Sequence, residues 1–138
     1  MRLCVLALPL AAISLSAAGV REYHYTRAEW KNVRNNTIIE PEKPEYPFEA
    51  RRNHLAGEGC FRLHIAPSGI VTSVTILKGT GHQLLDAAAI KAFSKWRTKP
   101  GLRRELDVPI SFRLSSGSHP PPPPAHYPCE PVLREFTP

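Results

Sequence analysis

At 138 residues the chain has room for one domain with tails and not for two independent cores. Eighteen Lys and Arg against twelve Asp and Glu give a formal net charge of +6. That balance sets out a solvated positive face, with anionic lipid or lipopolysaccharide as its more specific partners.

The N-terminus opens with Met1 and Arg2, continues as an apolar run over 3–15, and closes with the small residues Ser16, Ala17 and Ala18. Residues 1–18 therefore read as a secretory signal peptide, which directs the chain out of the cytoplasm. The competing reading is an uncleaved inner-membrane anchor, because residues 3–20 carry no charge; Pro9 and the small-residue end favour cleavage. Cleavage removes Arg2 and no acid, taking the charge from +6 to +5, and export leaves no nucleic acid among the expected partners. Cys4 lies in this segment, so Cys60 and Cys129 remain for an oxidising compartment. A single disulfide is the natural reading and two free thiols the alternative.

Residues 19–45 show no sustained period and are expected to form a linker, with at most one helical turn begun by Thr26 and Glu29. At Tyr46 and Pro47 a short helix of about two turns is expected. Ala50 and Leu55 would face inward, with Gly57 as the left-handed cap. From Cys60 the pattern alternates, with Phe61, Leu63 and Ile65 on one face and Cys60, Arg62 and His64 on the other. A turn over 66–69 joins this strand to a β-branched run over 70–78, making an antiparallel hairpin. Val71 and Val74 cannot share a face of a regular strand, which places a bulge near Thr72 and Ser73.

The next segment, LDAAAIKAFSKWRTKP over 85–100, sets Leu85, Ala88, Ala89, Ala92 and Trp96 on one helical stripe with a basic end. Trp96 is expected in the core rather than on a ligand. After a charged loop, LRRELD, a third strand covers residues 108–114. Pro109 cannot donate to a ladder, so this strand is expected at an edge, at least at its start. Five consecutive prolines force polyproline II in the tail over 115–138. A Cys60–Cys129 bond would hold that tail against the domain.

The elements together predict an α+β fold, α-β-β-α-β, with a three-stranded antiparallel sheet and two helices on one face. The domain would cover 46–114. No acid, base, nucleophile and oxyanion set assembles from motifs, so no enzyme is expected. Cys60 and His64, which share a strand face, would lie about 13 Å apart, too far for proton transfer. The six histidines show no zinc-site spacing, and no metal or cofactor is expected.

Several landmarks in fixed order, Tyr46 and Pro47 with Ala50 and Gly57, the Pro67-Ser68-Gly69 turn, the Leu85-Asp86 helix with its alanines, and Trp96-Arg97 with Pro100, resemble the TonB C-terminal domain family. The resemblance covers about half of the chain. It implies a periplasmic, non-enzymatic protein-binding module, part of TonB-dependent transmembrane transport. The partner would be an extended segment of an outer-membrane receptor or transporter, added as a strand beside Val108, Ile110, Ser111, Phe112, Arg113 and Leu114. Three departures weigh against energy transduction and leave strand-mediated binding untouched. The proline tract follows the domain, the apolar N-terminal segment lacks a histidine, and Gly59 stands where a β-branched residue is usual. The alternative is a structural or scaffolding envelope protein whose edge is blocked by its own tail or by a homodimer.

Overall fold

A computed structural model describes residues 14–16, 19–115 and 128–137. The signal reading over 1–18 lies outside the described residues apart from 14–16, and so does the five-proline run. In chain order the elements are β1 (Ser14–Ser16), β2 (Val20–His24), α1 (Arg27–Thr37), β3 (Ile38–Glu40), α2 (Phe48–Arg52) and β4 (Gly57–Ile65). They continue with β5 (Val71–Lys78), α3 (Gln83–Phe93), β6 (Arg97–Thr98), β7 (Arg103–Phe112) and β8 (Val132–Phe136). Among the described residues the main sheet has the order β1-β2-β8-β7-β4-β5, and β3 pairs with β6 separately.

The expected α-β-β-α-β unit is present as α2, β4, β5, α3 and β7, all strand pairs being antiparallel. Alternation along β4 buries Phe61, Leu63 and Ile65, which meet Leu106 and Val108 of β7 on one face of the sheet. The helices close that face: Ala50 of α2, Leu85, Ala89 and Phe93 of α3, and Trp30 of α1 belong to the same core. The bulge expected near Thr72 is there, since His64 pairs with Ser73 but Ile65 with Val71, which leaves Thr72 as the extra residue on β5.

Four features differ from the sequence expectations. The segment read as a linker is built into the fold: β2 joins the sheet, and α1 runs eleven residues under a capping box between Thr26 and Glu29. Its apolar content is little more than Trp30 and Val33, too sparse to show a period, yet Trp30 is buried. Second, the left-handed residue after α2 is His54, with φ 54°, while Gly57 opens β4. Third, α3 ends at Phe93, and Trp96 reaches the core from the turn that follows, its ring 4.9 Å from that of Phe93. Fourth, the charged segment expected to be a loop forms the first half of β7, because its charges are paired across neighbouring strands.

Gly69 closes the β4–β5 turn at φ 88°, and a Cβ there would come within 2.0 Å of the Thr98 carbonyl oxygen. The Gly69 carbonyl in turn accepts from the Thr98 N–H at 2.9 Å, tying the hairpin to β6. Gly69→Ala should therefore lower stability by about 2–4 kcal/mol, combining left-handed backbone strain with overpacking. Urea unfolding should show a lower midpoint at an unchanged slope; an unchanged midpoint would refute this reading of the turn.

Candidate partner interface

Of the residues expected at the partner edge, Val108, Ile110, Ser111 and Phe112 lie on the second half of β7, and Arg113 and Leu114 follow its end. Val108 and Phe112 are buried on the helix side, Phe112 meeting Tyr46 edge-on at 5.5 Å, and Ile110 packs against the same core. Ser111 and Arg113 are held on the other side by Glu58 of β4, which accepts from Ser111 Oγ at 3.3 Å and from Arg113 Nη2 at 2.5 Å. Leu114 follows the strand end, half-buried. These side chains are committed inside the domain, so what residues 108–112 have to offer a partner is backbone.

The edge is divided. β4 pairs with β7 over its whole length, from Arg104 opposite Ile65 to Phe112 opposite Gly57. On the other side, β8 pairs only with residues 103–107, its last partner being Val132 opposite Asp107. Among the described residues nothing pairs with residues 108–112 on that side. Pro109, which has no N–H to give, falls just past the end of the doubly paired stretch. Alongside the open half runs a groove of about 170 Å³, walled by Trp30, Trp96, Val108 and Ile110 and by Pro41 and Pro44 of the segment leading to α2. The indole N–H of Trp96 donates to the Glu42 carbonyl at 2.7 Å, which fixes that wall.

β8 is held by charge on one face and apolar packing on the other. The Asp107 carboxylate is buried and accepts from Arg62 Nε at 2.7 Å, from Arg62 Nη2 at 3.0 Å and from Arg134 Nη1 at 2.9 Å. Arg134 also donates to Glu22 of β2 at 3.2 Å, so one row of charges crosses four strands. Leu133 enters the main core, Arg104 pairs with Glu135 at 3.3 Å, and the Arg103 guanidinium sits 4.1 Å from the Phe136 ring centroid. Cys60 and Cys129 form a disulfide, joining β4 to the segment that leads into β8 across the intervening β7. Sequence reasoning found this pair of cysteines but not the strand behind it.

No helix among the described residues is long and apolar enough to cross a membrane.

Burial alone would raise the Asp107 pKa, but the hydrogen bonds and charges of Arg62 and Arg134 outweigh it and hold the carboxyl below its usual value. A depressed folded-state pKa contributes stability that is present above the ordinary carboxylate value near 4 and is lost as pH falls through the lower, folded value. Asp107→Asn should lower stability at pH 6 by roughly 2–4 kcal/mol, since two partly buried arginines lose the charge they share and meet an NH2 donor in place of one oxygen. It should also flatten the fall in stability below about pH 4. Urea unfolding at pH 3 and pH 6 checks both; equal pH slopes in the two proteins would exclude Asp107 as the clamp.

Residues 42–115 match the family described as Gram-negative bacterial TonB protein C-terminal. Protein tonB2 of Pseudomonas aeruginosa is 35% identical over 78 residues, which is 52% of this chain and 29% of that protein. Protein TonB of Pasteurella multocida is 32% identical over 75 residues, 51% of this chain and 29% of that protein. Protein TonB of Neisseria meningitidis serogroup C is 33% identical over 73 residues, covering 53% and 26%. The match thus spans less than a third of these relatives. The solution NMR structure of the Pseudomonas aeruginosa TonB CTD superposes with a TM-score of 0.53 at 18% identity, covering 59% of this chain and 88% of that one, a likeness of fold. β2, α1, β8 and Cys129 lie outside the residues matched to the family.

Proposed function

Because the chain belongs to the family of Gram-negative bacterial TonB protein C-terminal domains, we propose that it is a TonB-like protein-binding module of the periplasm, a binder and not an enzyme. Its partner is an extended segment of an outer-membrane transporter, and it serves TonB-dependent transport at that contact. The segment adds as a strand beside residues 108–112 of β7, and its side chains on the core side enter the groove between Trp30 and Trp96. The observation that carries this reading is the divided edge: half of β7 keeps a ladder side unpaired among the described residues, next to an apolar groove. Main-chain hydrogen bonds would supply affinity there and the groove would supply selectivity. Residues 1–18 act as the signal for export; retention of Met1 in the mature protein would instead mark an inner-membrane anchor.

A second reading has its own observation. β8 covers residues 103–107 and is bonded through Cys129 to β4, which fits an envelope scaffold whose sheet edge is closed by its own tail.

Pull-down from envelope extracts should recover an outer-membrane transporter. Titration of the labelled chain with a transporter plug peptide should move the amide signals of residues 108–112, except Pro109, and the indole signals of Trp30 and Trp96. No transporter recovered, together with an unmoved amide pattern, would overturn strand addition.

A further inference from the structure

Residues 103–107 continue the same ladder side of β7, where β8 lies between β7 and β2, and β8 displays the chemistry that this side accepts. Its pattern is an aliphatic pair, Val132 and Leu133, then a cation, an anion and an aromatic ring, and from Leu133 onward each has a counterpart in the domain. Leu133 takes the core, Arg134 takes Asp107, Glu135 takes Arg104, and Phe136 lies against Arg103. An extended segment that replaced β8 without repeating that order of charges would leave Asp107 with Arg62 alone and Arg104 without its carboxylate.

β8 is held by its ladders to β7 and β2, and the disulfide adds a covalent tether to them. With the bond intact, Val132 lies three residues beyond Cys129, which is fixed to β4. Without it, the covalent path from β7 to β8 is residues 113–131, nineteen residues, and the five-residue ladder to β2 is the other hold on β8. Loop-closure scaling with the three-halves power of length makes the local concentration of β8 at the edge about 15-fold lower after reduction. The two sulfurs also differ in access: Cys60 is 1% exposed, whereas Cys129 is only partly covered.

We propose that β8 is a redox-locked internal occupant of the partner edge: reduction of Cys60–Cys129 lets an extended antiparallel segment, aliphatic pair followed by cation and anion, replace it on residues 103–107. The reductant is a dithiol. One of its thiolates attacks Cys129 Sγ, the bond to Cys60 Sγ breaks, and Cys60 leaves as a thiolate that takes up a proton. The second thiol of the reductant then displaces Cys129 from the mixed disulfide. Two electrons and two protons have passed to the protein, and the reductant is left as a disulfide. The role of this exchange in transport rests on the strand-addition reading above, but the exchange itself is tested without any transporter.

The probe is a fluorescent peptide with the sequence of residues 131–137, PVLREFT, titrated into the full chain and followed by anisotropy. The oxidised chain should bind it at least ten-fold more weakly than the chain reduced with dithiothreitol. Cys60→Ser with Cys129→Ser should match the reduced chain, and a peptide with the Arg and Glu exchanged should lose at least ten-fold on either open form. Equal binding by oxidised and reduced chains, both folded by circular dichroism, would overturn the lock. So would unfolding on reduction, because the bond would then hold the domain and not the tail. Equal binding of the charge-exchanged peptide would overturn the stated partner chemistry. If transporter peptides fail at residues 108–112 while the β8 peptide exchanges on reduction, the strand-addition function falls and the lock stands.

Discussion

A carboxylate removed from water has to be matched by cations and donors, and the outer face of this sheet is organised around one that is. Asp107 sits in the middle of the sheet, taking two bonds from Arg62 on β4 and one from Arg134 on β8. Because Arg134 reaches on to Glu22, the same interaction fixes the order of four strands that are far apart in the chain, the Glu22 to Arg134 separation being 112 residues. Apolar burial on the opposite face drives collapse of the domain, but it says little about which short strand lies beside β7. The paired charges specify that neighbour, since a wrong strand would leave Asp107 with Arg62 alone and Glu22 without Arg134.

The functional consequence comes from where this pairing stops. β8 enters the ladder only at Val132, the residues before it lead from Cys129, which is bonded to Cys60, and Pro109 has no N–H to extend the pairing. Among the described residues, the strand that supports the proposed partner contact is thus closed over one half and open over the other. On the open half the side chains already serve the core or Glu58, so recognition there falls to backbone groups and to the adjoining groove. On the closed half the side chains of the chain's own tail show which charges the edge will tolerate.

Much of the central unit could be read without coordinates because its signals are local. Alternation in β4, the Pro67-Ser68-Gly69 turn and the close spacing of Val71 and Val74 each act within a few residues, and each led to the hairpin and its bulge. The alanine stripe of α3 was legible for the same reason, although the helix ends before Trp96, and Phe93, absent from that stripe, packs on Phe61 at 5.6 Å between ring centroids. The first half of β7 was not legible, since Arg103, Arg104, Glu105 and Asp107 look like a solvated loop until their partners are known. α1 was missed because one tryptophan carries most of its burial.

The amino-acid sequence by itself determined the α-β-β-α-β order, the face of β4 that is buried, the likeness to TonB C-terminal domains and the pair of cysteines able to join the tail to the domain. These follow from side-chain periodicity, turn chemistry and residue type, all of which act over short spans of chain. Only the tertiary structure decided that Val20–His24 and Val132–Phe136 enter the sheet, and that β7 is covered over residues 103–107 and, among the described residues, open beyond them. The physical reason is that VREYH and VLREF have too little apolar surface to declare themselves as strands. Their pairing energy resides in ion pairs and ladder hydrogen bonds to residues remote in the sequence, which exist only once the chain has folded.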